Sequence, residues 1–153
     1  MAGILQRLPE LMVYLKSTTN SYGADSRREH GWSNLSGRFT VCIPAIAGIK
    51  GRMELTAADP AINPHLVYAL LIRAGLEGIR AEKTLPPMET ACGKLPLTLR
   101  QALSAAGRGA FAKAYLPQDV FSSYVKNKQE QAAGYTKAKN KAEYDARTYF
   151  ELL

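Results

Sequence analysis

The sequence predicts an α+β fold with few strands, and three observations support this. Apolar residues recur at helical spacing near the N-terminus, over residues 3–16. Two later runs, 38–46 and 52–56, alternate apolar and polar residues as half-buried strands do. From residue 63 onward helical periodicity returns, divided by glycine and proline. The order helix, loop, hairpin, helices is that of an α+β domain, and 153 residues suffice for one core, so we expect a single domain over 1–153.

The first element is a helix over residues 3–16, although Pro9 interrupts its hydrogen-bond ladder. Residues 17–37 are rich in Ser, Asn, Gly and charge and have little periodicity. They are predicted to form a long loop, and loops of that length are usually functional. Within this loop His30 has no evident partner, and Trp32 is expected to be a structural anchor.

The next element is an antiparallel hairpin. In the run 38–46, residues 39, 41 and 43 point one way and residues 38, 40 and 42 the other, and residues 47–51 supply a turn into 52–56. We expect one face of the hairpin to be buried and the other to carry Arg52, Glu54 and Cys42. Because an isolated two-stranded hairpin is marginal in water, we expect another chain to complete the sheet.

A capped helix follows the hairpin. Asn63 is a good N-cap and Pro64 suits the first helical position. Gly75 and Gly78 are expected to mark the helix end. The expected buried stripe consists of Leu66, Val67, Leu70, Leu71 and Ala74. His65, at the helix start, is expected to pack.

The C-terminal part is predicted to be helical. After a connector over residues 80–96, Thr98 and Gln101 form a capping box that opens a helix through residue 105. A short helix follows over 110–116, and Pro117 begins a longer one to about residue 133. Gly134 is expected to interrupt it, and a last helix is expected over 136–152.

Composition excludes several classes of protein. No apolar run reaches the ~18 residues of a membrane span, and no signal peptide is visible. The two cysteines have no metal-site spacing, so we expect reduced thiols and a cytoplasmic location. Twenty basic and thirteen acidic residues give a net charge of +7, but the basic residues are scattered. Solvated helix faces therefore explain the charge better than a nucleic-acid surface, and we expect no nucleic-acid partner.

The block 51–79 carries the most specific motifs: Arg52 and Glu54 on one strand, Asp59-Pro60, Asn63-Pro64-His65-Leu66, and the helix ending Ala74-Gly-Leu-Glu-Gly-Ile79. Further landmarks are Ala2-Gly-Ile-Leu5, Thr19-Asn-Ser-Tyr22, Trp32-Ser33, Cys42-Ile-Pro44, Leu95-Pro96, Leu99-Arg-Gln-Ala102, Tyr144-Asp145 and Tyr149-Phe150. Together they resemble the C-terminal part of the glutamine synthetase catalytic domain. The resemblance covers about residues 2–153, and the 51–79 block is its specific part.

The resemblance implies a fold, a reaction and a site. The family uses ATP and divalent metals, Mg²⁺ or Mn²⁺, to ligate ammonia to glutamate through a phosphorylated γ-carboxylate. Glu54 stands at a metal ligand of the family, and Arg52 at a nucleotide-facing arginine, although a salt bridge between the two is an equal alternative. Glu29 is a candidate for the family's mobile-loop glutamate, and Arg38 for a catalytic arginine displaced by one position.

The sequence departs from the family at its cations. Where the family has arginines, this chain has Ala24, Gly37, Cys42 and Thr56. Neutral side chains do not replace arginine at phosphate or carboxylate sites, and each loss is expected to slow the reaction by about 100-fold or more. The resemblance also places the family's N-terminal domain, its Glu-x-Glu pair and its His-x-His segment outside this sequence.

Two functional hypotheses follow. The chain is either a catalytic-domain piece of a glutamate–ammonia ligase that is not competent alone, or a non-catalytic module that associates with itself or with a full-length ligase. Both predict a homo-oligomer or a partner chain that supplies the missing half. The sequence leaves open whether the chain is a natural short protein or one part of a split enzyme, and which order of oligomer it forms.

Overall fold

The computed structural model describes residues 1–23, 28–35, 37–44 and 51–150. In these residues the chain forms helices and a small three-stranded sheet, which confirms the α+β class. The elements are α1 (Ala2–Leu15), β1 (Glu29–Ser33), β2 (Phe39–Cys42), β3 (Glu54–Leu55), α2 (Pro64–Arg80), α3 (Leu99–Arg108), α4 (Phe111–Tyr115), α5 (Gln118–Lys137) and α6 (Lys141–Asp145). A 3₁₀ turn spans Asn20–Tyr22, and a π-helical turn, Ala146–Phe150, continues α6.

Helix α1 is the centre of the core. It packs against α2, α3, α4 and β1. Because its neighbours cover it on several sides, every residue from 11 to 15 is buried, together with most apolar residues of its first half. The largest fully buried side chains of the helix are those of Leu8, Leu11, Met12, Tyr14 and Leu15.

The C-terminal carbonyls of α1 are satisfied from outside the helix. The Tyr22 hydroxyl donates to the Met12 carbonyl at 3.2 Å, and the Tyr124 hydroxyl donates to the Val13 carbonyl at 2.8 Å. The backbone N–H of residue 59 donates to the carbonyl of residue 15 at 2.9 Å. The bonds to the carbonyls of residues 13 and 15 replace partners that a helix end lacks, whereas the Met12 carbonyl also accepts from the Lys16 N–H. Together the three bonds attach three separate segments to α1.

The helix also continues through Pro9. Proline has no N–H, so the carbonyl of Leu5, four residues earlier, loses its intrahelical donor. The side chain of His30 takes that place, with its Nε2 atom 2.7 Å from the Leu5 oxygen. The proline that the sequence suggested as an interruption therefore creates an attachment point for β1.

Helices α1 and α2 meet at two glycines. A Cβ atom built on Gly78 would lie 2.6 Å from the backbone nitrogen of Gly3, and one on Gly3 would lie 2.7 Å from the Cα of Gly78. The expectation that Gly75 and Gly78 end the helix is wrong, because α2 runs through both to Arg80. Gly78 permits close packing of the two backbones rather than a helix end.

The sheet has three strands in the order β1-β2-β3. The predicted antiparallel hairpin is confirmed: Val41 pairs with Leu55 and Cys42 with Glu54. Its expected one-sided burial is wrong, because all four residues of β2 are buried. The turn between the strands, at residues 45–50, lies outside the described residues.

The expectation of a structureless loop over residues 17–37 is also wrong. Residues 29–33 form β1, which pairs with β2 in parallel and contains a bulge between Glu29 and Trp32. The Thr40 hydroxyl bridges this irregularity: it donates to the Gly31 carbonyl at 3.1 Å and accepts from the Gly31 N–H at 3.4 Å. The chain itself thus supplies a third strand.

The connector after α2 covers the outer edge of β1. Backbone N–H groups of residues 89 and 92 donate to the carbonyls of Trp32 and His30, at 2.9 and 2.7 Å. The indole N–H of Trp32 donates to the Pro86 carbonyl at 2.9 Å, which agrees with its expected anchoring role. A Cβ on Gly31 would lie 2.7 Å from the Thr90 carbonyl oxygen, so glycine is needed for this approach. This edge of the sheet is therefore not open.

The predicted helix caps are confirmed. The Asn63 side chain accepts from the N–H groups of residues 65 and 66, and the Thr98 hydroxyl accepts from the N–H of Gln101. The expected interruption at Gly134 is wrong: α5 continues to Lys137, and Gly134 makes room for the Tyr144 ring. The final helix starts at Lys141, later than expected, with Asn140 as its cap.

Candidate functional site

The candidate site lies where β2 and β3 pair. Cys42 and Glu54 are directly opposite each other, so their side chains share one face of the sheet, as predicted. Glu54 is half-buried, whereas the Cys42 thiol is 1% exposed. A buried thiol therefore lies opposite Glu54, which is the only carboxylate on this face of the β2–β3 pair among the described residues.

Glu54 is held by Arg52. A guanidinium N–H of Arg52 donates to a Glu54 carboxylate oxygen at 2.5 Å, and both side chains are more than a third exposed. Exposed ion pairs of this kind contribute little stability. The salt-bridge alternative that the sequence allowed is thus the arrangement that these two side chains adopt.

Thr56 faces the protein backbone. Its hydroxyl donates toward the Phe39 carbonyl at 2.9 Å and lies 3.2 Å from the Thr40 carbonyl oxygen. Its backbone N–H donates to the same Thr40 carbonyl. The hydroxyl is therefore committed to the strand, and it supplies no positive charge to the face that carries Glu54.

Glu29 and Arg38 form a second ion pair. Two guanidinium nitrogens of Arg38 contact the two carboxylate oxygens of Glu29, at 2.8 and 3.3 Å. This contact raises the pKa of the Arg38 guanidinium. Glu29 lies on strand β1, not on a loop, and it pairs with Phe39 at the opposite end of β2 from Cys42.

The structure therefore does not bring the four candidate residues together. Arg52 and Glu54 meet at one end of β2, and Glu29 and Arg38 at the other, about 10 Å away by the rise of an extended strand. Gly37, at an expected arginine position, is exposed and has a φ of +111°. Ala24, the other such position, lies outside the described residues.

A divalent metal does not fit these residues by themselves. Within the described ranges no three His, Cys, Asp or Glu side chains converge as a metal site would require. Glu54 alone offers one carboxylate, and Arg52 already pairs with it.

The Thr19-Asn-Ser-Tyr22 motif lies in contact with the C-terminal motifs that contain Asp145 and Tyr149. The Thr19 hydroxyl donates to the Asp145 carboxylate, and the Thr19 N–H donates to the Tyr149 hydroxyl at 3.1 Å. Asp145 is 9% exposed. These bonds fasten the C-terminal turn to the turn at 20–22, so these residues have a structural role here.

Comparison with known proteins shows the family of the chain. The family model described as "Glutamine synthetase, catalytic domain" matches residues 1–147. The chain belongs to the glutamine synthetase family. The match includes both strands of the candidate site and the helices that support it.

Curated relatives in this family are longer than the chain. Glutamine synthetase of Methanosarcina mazei is 32% identical over 142 residues, covering 80% of this chain and 32% of the relative. Glutamine synthetase of Thermus thermophilus is 28% identical over 148 residues, covering 84% and 33%. The chain thus spans about a third of the length of such relatives.

Solved structures share the fold. A structure titled "GmaS/ADP complex-Conformation 1" superimposes with a TM-score of 0.78 at 23% identity, covering 98% of this chain and 38% of that chain. A "novel glutamine synthase homolog" gives a TM-score of 0.75 at 23% identity, covering 99% and 37%. These similarities confirm a partial glutamine synthetase-type fold.

The environment of His30 is not evident from its own local sequence. His30 is 6% exposed, and its Nδ1 atom has no hydrogen-bond partner among the described residues. The signal in the sequence was Pro9, because a proline inside a helix leaves a carbonyl free for an outside donor. Among the residues that the structure describes, no helix is both long and apolar enough to cross a membrane.

Proposed function

We propose that the chain is a glutamine synthetase-type catalytic-domain piece that does not catalyse the family reaction by itself. That reaction is the ATP-dependent ligation of ammonia to glutamate, with Mg²⁺ or Mn²⁺. The observation that carries the proposal is the chemistry around Glu54, where Cys42 is a buried thiol and the Thr56 hydroxyl is bonded to strand carbonyls.

The physical reason is electrostatic. Phosphoryl transfer depends on cations that surround the equatorial oxygens of the migrating group. The buried thiol of Cys42 and the backbone-bonded hydroxyl of Thr56 supply no such positive charge. A neutral group cannot replace an arginine at a phosphate site. Two missing cations at about 100-fold each would lower the rate by about 10⁴-fold.

The proposed roles of the remaining residues are limited. Glu54 is proposed as the inherited metal position and Arg52 as the inherited nucleotide-facing arginine, both now engaged with each other. Glu29 and Arg38 are proposed as inherited catalytic positions, likewise paired. Any use of ATP and metal would then require a further chain that supplies the other ligands.

The test is a turnover assay on the purified chain. Phosphate release from ATP is followed with glutamate, ammonia and Mg²⁺ or Mn²⁺, beside the Thermus thermophilus relative as a positive control. We expect no release above the blank. Turnover that depends on glutamate and disappears in a Glu54→Gln variant would contradict the proposal.

A second candidate function is assembly, and one surface favours it. Helix α2 buries one stripe in the core, yet its opposite face is also apolar. On that face Tyr68, Ile72 and Ile79 are 63%, 63% and 74% exposed, and Leu76 is 38% exposed. Exposed apolar stripes of this kind mark interaction sites. We propose that this face contacts a second copy or a longer chain of the family.

Sedimentation tests the assembly proposal. We expect the chain to self-associate in the micromolar range, or to bind the full-length relative, and the double substitution Ile72→Lys, Ile79→Lys to abolish either. The matched control is Lys126→Ala, on an exposed position of α5. A chain that stays monomeric and does not bind the relative would exclude this role.

A further inference from the structure

A buried imidazole with an unmet acceptor lies on β1. The Nε2 atom of His30 is 2.7 Å from the Leu5 carbonyl oxygen, which can only accept, so Nε2 carries the hydrogen. In the neutral ring Nδ1 is then a lone-pair acceptor, and burial lowers the pKa of His30, which favours this neutral form. Nδ1 has no partner within the described residues, and a buried acceptor without one costs free energy.

The ring lies in the wall of a cavity of about 750 Å³ that opens to solvent. The first half of α1 forms one side and the connector forms the other. Gly93 lies next to the unmet nitrogen: a Cβ atom there would be 3.8 Å from Nδ1, and the φ of Gly93 is +140°. Nδ1 is buried, and the N–H of residue 92 is bonded to the His30 carbonyl, so a ligand reaches the lone pair only if residues 93–94, which belong to no helix or strand, move outward.

The cavity is cationic. Lys83 and Lys94 line it, and no Asp or Glu is among the described residues of its wall. Two ammonium groups favour an anion and disfavour a cationic ligand. A ligand that satisfies Nδ1 must have a hydrogen-bond donor. Because two lysines lie beside it, an anion with such a donor fits better than a ligand with an ammonium group.

We propose that this cavity binds hydrogen phosphate, a small oxyanion that keeps its own hydroxyl. The phosphate O–H donates to Nδ1 of His30, while its charged oxygens face Lys83 and Lys94. The site is at the opposite edge of the sheet from Glu54, because β1 and β3 flank β2. It therefore does not depend on the proposed function.

Sulfate provides a sharp comparison. It matches phosphate in shape and charge but has no O–H at neutral pH, so it can satisfy the lysines and not Nδ1. A phosphate monoester above its second pKa of about 6 also lacks the hydroxyl. Selection of inorganic phosphate over both would identify the acceptor as the recognition element.

The experiment is a nuclear magnetic resonance titration of the ¹⁵N-labelled chain at constant ionic strength. The chain has two histidines, and exposed His65 is an internal control for His30. We expect the Nδ1 resonance of His30 to shift saturably with inorganic phosphate, with a Kd on the order of 1 mM. His65 should not show a saturable shift, and sulfate and methyl phosphate should leave His30 unchanged.

The lysine variants and a thiol readout complete the test. Lys83→Ala and Lys94→Ala should each weaken phosphate binding several-fold, whereas Lys126→Ala should not. Phosphate should also slow alkylation of exposed Cys92, and buried Cys42 is expected to react much more slowly. Equal responses to sulfate and phosphate, or no response of His30 to phosphate, would overturn the proposal.

Discussion

At the scale of single residues, two stacked tyrosines offer a matched comparison. The rings of Tyr14 and Tyr124 have centroids 4.8 Å apart. Tyr124 donates to the Val13 carbonyl, whereas the Tyr14 hydroxyl is buried and has no partner in the described structure. Burial raises the pKa of Tyr14 to about 12, so the hydroxyl stays neutral. The two hydroxyls therefore contribute to stability with opposite signs.

We expect Tyr14→Phe to raise the free energy of unfolding by about 1 kcal/mol, because it removes an unsatisfied buried hydroxyl. Tyr124→Phe should lower it by about 1 kcal/mol, because it removes a made hydrogen bond. Urea denaturation measures both. If Tyr14→Phe proves the more destabilising of the two, the account of this orphan hydroxyl is wrong.

His30 predicts a pH dependence of stability. Burial lowers its pKa in the folded chain below the ordinary value of 6.5. The unfolded chain therefore binds a proton first, so stability is full above about pH 6.5 and falls as pH drops from there toward the folded pKa. Denaturation midpoints in a phosphate-free buffer between pH 7.5 and 5.5 should show this loss. A His65→Asn variant should keep the slope, and a midpoint that rises toward pH 5.5 would contradict the assignment.

At the scale of elements, the two glycines of α2 make opposite predictions. Gly78→Ala should destabilise by about 2 kcal/mol or more, because its Cβ would meet the backbone of Gly3 and overpacking of that kind does not relax easily. Gly75 has no atom within 4 Å of a built Cβ. Gly75→Ala should therefore stabilise by about 0.5–1 kcal/mol through helix propensity. Thermal unfolding of both variants tests the pair, and equal effects would refute the close helix contact.

Elements with local signals were predictable from the sequence. The caps at Asn63 and Thr98 and the β2–β3 pairing follow from residues a few positions apart. Strand β1 was missed because its Glu-His-Gly-Trp-Ser sequence does not alternate. Its parallel pairing with β2 after only residues 34–38 is also unlike the long crossovers that parallel strands usually need.

The site was partly predictable for the same reason. The shared face of Cys42 and Glu54 follows from strand alternation, which acts locally. The separation of Glu29 and Arg38 from Arg52 and Glu54 depends on the position of β1, which no local pattern encodes. The glycines at 78 and 134 resemble helix ends in the sequence, because local propensity does not reveal that they pack against Gly3 and Tyr144.

At the scale of the whole molecule, the chain has the family's fold, but its charged site residues are arranged in ion pairs. A glutamine synthetase-type scaffold is present, with a core centred on α1 and with the family's match over residues 1–147. The charged residues that this scaffold retains near Glu54 are paired with each other. We propose that this chain alone does not assemble a nucleotide and metal site.

Isothermal titration with a non-hydrolysable ATP analogue and Mn²⁺ tests that claim most directly. For the 153-residue chain alone we predict no saturable heat, and the same flat trace for Glu54→Gln. The full-length relative provides the positive control. Saturable binding with a Kd below about 1 mM that Glu54→Gln abolishes would contradict the account.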